Sequence, residues 1–422
     1  MCSSRYTSKH LSLNEKRVAC TISESDSIIV PLGVFPRQAS AQLLHLARQF
    51  KAVAVVGPRQ SGKTTLVREV FAHLPYTTLE SPDTRSFALS DPRGFLSHFP
   101  DGAVLDEAQR APELFSYLQE VLDASDARGR FILTGSNHFL LQENINQSLA
   151  GRIAYLQLLP FTLNELPAGT ITDPDQWILT GGYPPLFDGR TGRDDWFANY
   201  IRTYVERDVR LIRNITDLHA FERFLRLCAG RVGQLLNRSN LATEAGVDGK
   251  TIAGWLSVLE SSFIIHLLRP HHIGFNKRVV KMPKLYFVDT GLACALLGIR
   301  DTDTLALHPF RGALFENAVI AELRKLAGHQ GRLVDFHFWR DSKGLEVDLL
   351  LEEKGRLVPV EIKSGRTLRP ELFQGLERWS QLSGMPGGVL VHAGSQRQER
   401  SNGISVLPWN ATGEALDTRT AN

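Results

Sequence analysis

The segment Gly57-Pro58-Arg59-Gln60-Ser61-Gly62-Lys63-Thr64 fills every fixed position of the pattern G-x-x-x-x-G-K-[ST]. Its setting constrains the fold as much as the pattern does. Val53-Ala54-Val55-Val56 before it reads as a buried parallel strand, and Thr64 to Phe71 after it reads as a helix. Loop amides and a helix N-terminus converge on a phosphate in that strand–loop–helix arrangement. Gly57 and Gly62 let the backbone turn and approach the phosphate oxygens. Lys63 is expected to neutralise the β- and γ-phosphates of ATP, and Thr64 to ligate Mg²⁺ through its hydroxyl. Gly57 to Thr65, with Thr65 the last member, is the expected nucleotide-binding segment.

A chain of 422 residues has room for two or three domains. A net charge of +3 does not by itself imply nucleic acid or a membrane surface as a partner. The cysteines (Cys2, Cys20, Cys228, Cys294) show no C-x-x-C pairing or metal spacing, which suits a reducing cytosol. No apolar run approaches the ~18 residues of a membrane helix. The N-terminus lacks the apolar core of a secretory signal. The expected location is therefore cytoplasmic, with no membrane partner.

The order of segments predicts an α/β chain. Residues 1–30 are polar and Ser-rich and read as a disordered extension. Residues 31–165 alternate strands and helices, which predicts a parallel-sheet P-loop domain. Residues 166–217 read as a helical connector. Residues 218–290 carry helix-turn-helix grammar around Gly246, followed by two strands that suggest a winged helix. Residues 291–412 return to α/β order, and 413–422 form a tail.

Chemistry beyond the loop is expected at two strand ends. Ala103-Val104-Leu105-Asp106-Glu107 is an apolar strand ending in two carboxylates. Asp106 is expected to hold Mg²⁺ through water, and Glu107 to polarise the attacking water. Phe131 to Asn137 is another strand with a polar end, from which Ser136 or Asn137 would sense the γ-phosphate. A helix cap or turn is the alternative there. Arg152 and Arg59 are candidates to stabilise the transferring phosphoryl group, with a plain surface charge as the competing reading of each.

These segments, with Leu159-Pro160-Phe161, Gly181-Gly182-Tyr183-Pro184 and Tyr204 to Val209, resemble a prokaryotic group of AAA-like ATPases with a C-terminal DUF4143 domain. The resemblance covers about residues 35–410. It implies an AAA+-like ATPase core, a winged-helix segment and a restriction-endonuclease-like C-terminal fold. By analogy with AAA proteins, a homo-oligomeric ring is an open option.

Near the C-terminus, Glu346 to Leu351 and Leu357 to Lys363 read as adjacent strands joined at Lys354-Gly355. Strand alternation puts Glu361 and Lys363 on one face, and a hairpin brings Asp348 beside them. The set resembles the PD-(D/E)xK nuclease pattern, with Val347 where a proline is usual. Asp348 and Glu361 would hold a Mg²⁺ that activates water, Lys363 would orient or deprotonate that water, and Glu316 would add a third carboxylate. A solvated edge hairpin is the alternative. DNA is the candidate partner. Lys250, Thr251 and Trp255 would lie on a recognition helix, and Lys277, Arg278, Lys281 and Lys284 around the wing. The functional expectation is an Mg²⁺-dependent ATPase coupled to a nuclease-like domain. The alternative is a nucleotide-dependent signalling or scaffold switch in which that domain is inactive.

Overall fold

The computed structural model describes residues 35–135, 149–204, 215, 217–273 and 279–418. The expected N-terminal extension, the sensor candidates Ser136 and Asn137, the basic residues Lys277 and Arg278, and the stretch after Tyr204 lie outside the described residues.

The P-loop half is a five-stranded sheet in the order β2-β3-β4-β1-β5. Its strands are β1 (Ala52–Val56), β2 (Tyr76–Thr78), β3 (Ala103–Asp106), β4 (Phe131–Gly135) and β5 (Ile153–Gln157). Every pairing is parallel. A parallel sheet needs cover on both faces, and the alternation along β1 supplies it. Val53 and Val55 pack with Leu43 of helix α1 (Ala39–Gln49) and Leu66 of α2 (Lys63–Val70). Ala52, Ala54 and Val56 face the opposite cluster. The helices α3 (Pro82–Ser90), α4 (Pro92–Ser97) and α5 (Leu114–Asp123) follow, and α5 closes that second face with Leu114, Phe115 and Leu118. The P-loop, Asp106 and Gly135 all lie at the carboxyl edge of the sheet, where open α/β folds present ligands.

The middle of the chain is helical: α6 (Pro174–Thr180), α7 (Arg193–Thr203), α8 (Leu218–Ala229), α9 (Arg238–Ala245) and α10 (Gly249–Ser261). The turn after α9 is closed by Gly246, and Asp248 caps α10 by accepting from Lys250 N and Thr251 N. The strands β6 (Ile265–Pro270) and β7 (Lys284–Phe287) pair antiparallel, as a wing would. They do not stand apart, however. Arg269 and Pro270 of β6 pair with β8 (Asp335–Arg340), so the hairpin continues the C-terminal sheet. That sheet crosses the 290/291 boundary expected from the sequence, because the joining pairs are too far apart in the chain for local pattern to reveal.

The C-terminal half adds α11 (Thr290–Leu296), α12 (Thr302–Leu307) and the long α13 (Arg311–His329) before β8. Then come β9 (Glu346–Glu353), β10 (Arg356–Lys363), α14 (Gln374–Ser383), β11 (Gly388–His392), β12 (Gln398–Glu399) and β13 (Ile404–Pro408). They form a mixed eight-stranded sheet in the order β12-β13-β11-β10-β9-β8-β6-β7. Helix α13 lies in the largest core, contributing Leu314, Phe315, Val319, Ile320, Leu323 and Leu326. Among the described residues no helix is long and apolar enough to cross a membrane.

Candidate functional site

At the carboxyl edge of the first sheet the loop is held by close backbone contact. A side chain on Gly57 would place its Cβ 2.1 Å from the Leu158 carbonyl oxygen, so only glycine fits there. Lys63 is buried and donates from Nζ to Gly57 O at 3.1 Å and Pro58 O at 2.7 Å. Its ammonium is thereby held over the loop whose amides would receive phosphate. Next to it, Thr64 Oγ1 donates to Asp106 Oδ1 at 3.0 Å.

Asp106 collects two further hydroxyls. Thr134 Oγ1 donates to Oδ1, and Tyr76 OH donates to Oδ2 at 2.8 Å. Burial and this carboxylate push the Tyr76 phenol up to about 12, so it stays a donor. The adjacent hydroxyl and carboxylate of Thr64 and Asp106 are the oxygen donors a hard cation such as Mg²⁺ takes. The residues present therefore fit that ion.

Glu107 follows in left-handed backbone geometry, with φ of 55°, uncommon for a residue other than glycine. Its N–H donates to Thr134 Oγ1 at 3.2 Å, and Gln109 Nε2 donates to its Oε2 at 2.5 Å. Glu107 lines a cavity of about 500 Å³. Arg59, Gln60, Gly62, Lys63, Thr64 and Thr65 form its floor, and Pro184 and Tyr204 of the connector line it as well. That volume lies within the range of small-molecule sites.

Arg152 lies elsewhere. It precedes β5 at the amino edge of a parallel sheet and makes two bonds to Asp123, at 2.5 and 2.8 Å. Within one chain it does not reach the nucleotide side. Thr134, Tyr76 and Gln109 escaped the sequence reading. Thr134 stood in the flagged strand end, but only its pairing with Asp106 shows its role.

The second constellation is brought together, in a different form from that expected. Strands β9 and β10 pair so that Asp348 lies beside Glu361 and Lys363, with Ile362 N donating to Asp348 Oδ2 at 2.9 Å. Lys363 Nζ bridges the acids, 3.1 Å from Asp348 Oδ2 and 2.5 Å from Glu361 Oε2. Burial and Asp348 push the Glu361 carboxyl well above its usual range. Burial works against the charge on Lys363, but the two acids outweigh it and hold the lysine above its ordinary range. A Cβ on Gly375 of α14 would meet Glu361 Oε1 at 2.1 Å, so the helix approaches this acid through a glycine.

Glu316 on α13 feels Asp348 and has close partners of its own. Lys284 Nζ donates to it at 3.1 Å and Tyr286 OH also bonds it, while Lys284 pairs with Glu346 as well. Burial raises Glu316 to about 7 against the pull of Lys284. Among the described residues no three His, Cys, Asp or Glu side chains are disposed to hold a metal. Glu316, Asp348 and Glu361 nonetheless lie within electrostatic reach through Asp348, with Lys284 and Lys363 paired to them. Lys284 is buried and not a phosphate contact, and Trp255 packs against Phe221 and Phe224 in the core.

Comparison with known proteins matches this division. Residues 49–167 match the model of an AAA domain, and residues 311–412 that of a domain of unknown function, DUF4143. Residues 171–303 match a further domain of unknown function, DUF8612. An uncharacterized protein of Mycobacterium tuberculosis is 31% identical over 375 residues, covering 88% of this chain and 83% of that protein. The chain belongs to the family of AAA-domain P-loop ATPases with a C-terminal DUF4143 domain. An uncharacterized protein of Haemophilus influenzae is 22% identical over 246 residues, covering 55% of this chain and 58% of that protein. Among solved structures, the Walker-type ATPase PABY2304 of Pyrococcus abyssi aligns with 62% of this chain and 96% of its own, at 16% identity and a TM-score of 0.44. RuvB of Thermotoga maritima aligns with 55% of this chain and 87% of its own, at 18% identity and a TM-score of 0.26. For this family member the parallel sheet and its strand order remain the description of the fold.

Proposed function

We propose that this protein is an Mg²⁺-dependent ATP hydrolase whose turnover repositions its C-terminal domain. The observation that carries the reading is the meeting of Lys63, Thr64, Asp106 and Glu107 at one sheet edge, with Thr64 and Asp106 3.0 Å apart. Loop amides and Lys63 would bind the phosphates. Thr64 and Asp106 would hold Mg²⁺, which neutralises charge developing on the phosphoryl oxygens. Glu107, which lines the cavity, would orient water in line with the γ-phosphate. Gln109 holds that carboxylate, and Thr134 holds the Glu107 backbone. Equilibrium ATP binding tests the site: Lys63→Ala, or removal of Mg²⁺ with EDTA, should weaken binding at least tenfold. Wild-type affinity in Lys63→Ala would sink the assignment.

A second reading, action on DNA, is favoured by one observation. Asp348, Glu361 and Lys363 line an open cavity of about 620 Å³ together with Arg378. Cleavage of single- and double-stranded DNA with Mg²⁺ or Mn²⁺, with and without ATP, tests it. Cleavage lost in both Asp348→Ala and Lys363→Ala would establish a nuclease. No cleavage alongside intact ATP turnover would leave a nucleotide-driven switch.

A further inference from the structure

Arg37 is a buried residue that no phosphate-binding pattern includes. Its guanidinium makes three long-range bonds: NH1 to Ser61 O at 2.6 Å, NH2 to Leu159 O at 2.7 Å, and Nε to Glu165 Oε1 at 3.0 Å. The first of these grips the P-loop itself. Glu165 also receives Gln38 N and Thr162 N, which leaves its carboxylate fixed. Burial alone would raise Glu165, but the charge of Arg37, together with the bonds the carboxylate accepts, outweighs burial and holds it below its usual range.

His329 ends α13 of the C-terminal half and is completely buried. Leu159 N–H donates to its Nε2 at 3.2 Å, so that nitrogen carries no proton. The neutral ring then carries its proton on Nδ1, which lies 3.6 Å from Glu165 Oε1. Burial lowers His329 to about 4, in keeping with a neutral ring. Two more residues on the same helix face reach the same segment. Glu322 Oε1 accepts Leu163 N at 2.7 Å, and Lys325 Nζ donates to Phe161 O at 3.1 Å. The spacing 322, 325, 329 is one stripe of a helix.

We propose that Arg37, Glu165 and His329 form a positioning chain through which the C-terminal helix α13 sets the shape of the P-loop, and with it the affinity for ATP. The inference rests on the ATPase reading above. Glu316, at the other end of α13, joins the lysine-bridged carboxylate cluster. The same helix therefore touches both constellations, about 20 Å apart at 1.5 Å rise per residue. None of the three residues touches nucleotide, so each acts through Ser61 and the backbone of 159–165.

A loop-positioning role predicts a particular kinetic split. Loss of interactions that shape the phosphate site equally for substrate and transition state raises KM and spares kcat. Loss of folded protein would instead lower apparent kcat at constant KM. The test is steady-state ATP hydrolysis by the full chain, with a thermal melt on each variant. Arg37→Lys keeps the charge but cannot make all three bonds, and His329→Leu removes the acceptor for Leu159 N–H. Each is expected to raise KM about tenfold, the scale of one charge-assisted hydrogen bond, with kcat within about twofold. His329→Gln, which keeps an acceptor, should recover most of the KM. Unchanged KM in Arg37→Lys would overturn the inference while leaving the ATPase reading intact, as would kcat lost at constant KM. Loss of fold in Arg37→Lys would also count against it, by making Arg37 a structural residue. Wild-type turnover that is absent, or unaffected by Lys63→Ala, would remove the ATPase reading and this inference with it.

Discussion

Glu322 and His329 sit about two turns apart on α13, both buried, with opposite dependence on pH. Burial raises the Glu322 carboxyl to about 7 against the attraction of Lys325, with Glu165 adding to the rise. The folded chain thus holds a proton that the unfolded chain has released above its ordinary carboxylate range. Stability from this group falls as pH rises from about 4.5 to 7. His329 is lowered to about 4. There the unfolded chain holds the extra proton, so stability rises with pH from about 4 to 6.5. Across the shared window the two effects oppose each other. Between about pH 4.5 and 6.5, Glu322→Gln should gain urea stability relative to wild type by on the order of 3 kcal/mol. A difference from wild type that stays constant with pH would contradict the burial-driven shift. Such pairs are not legible in sequence. Lys63, Asp106 and Glu107 were, because strand, loop and carboxylates are contiguous patterns. Arg37 was not, because its partner Glu165 lies 128 residues away. Thr134 was missed for the same reason, its bond to Asp106 spanning 28 residues.

Elements were legible where period and punctuation agree. The alternation along β1 and the Gly246–Asp248 turn before α10 could be read directly. Strands β6 and β7 were legible as strands, but not as members of the C-terminal sheet, since Arg269 and Pro270 pair with His337 and Phe338 far along the chain. At this scale α14 and β10 make a checkable contact. Gly375→Ala would push Glu361 off its place, because the new Cβ would fall 2.1 Å from Oε1. Crowding of this kind typically costs about 1–3 kcal/mol. A lowered melting temperature in Gly375→Ala, restored in part by shortening Glu361 to Asp, would verify the contact. Asp289 offers a second case. It caps α11 through Leu292 N at 3.2 Å and also accepts Gly182 N at 2.7 Å, tying the connector turn to the C-terminal half. Asp289→Ala should lose roughly 1–3 kcal/mol in urea unfolding, since both donors are left buried. A change under half that size would mean the cap contributes little.

Across the whole molecule, two sheets share one long helix. The first sheet presents the P-loop, Thr64, Asp106 and Glu107; the second presents Asp348, Glu361 and Lys363 under a lysine bridge; α13 touches the surroundings of both. The central claim is that the first of these hydrolyses ATP with Glu107 orienting water. Single-turnover hydrolysis of Mg²⁺-ATP by wild type and Glu107→Gln, alongside equilibrium ATP binding, tests it most directly. Glu107→Gln should bind ATP with near wild-type affinity and hydrolyse it about 10²-fold more slowly or worse, the scale of a lost general base. Turnover by Glu107→Gln at the wild-type rate would contradict the account.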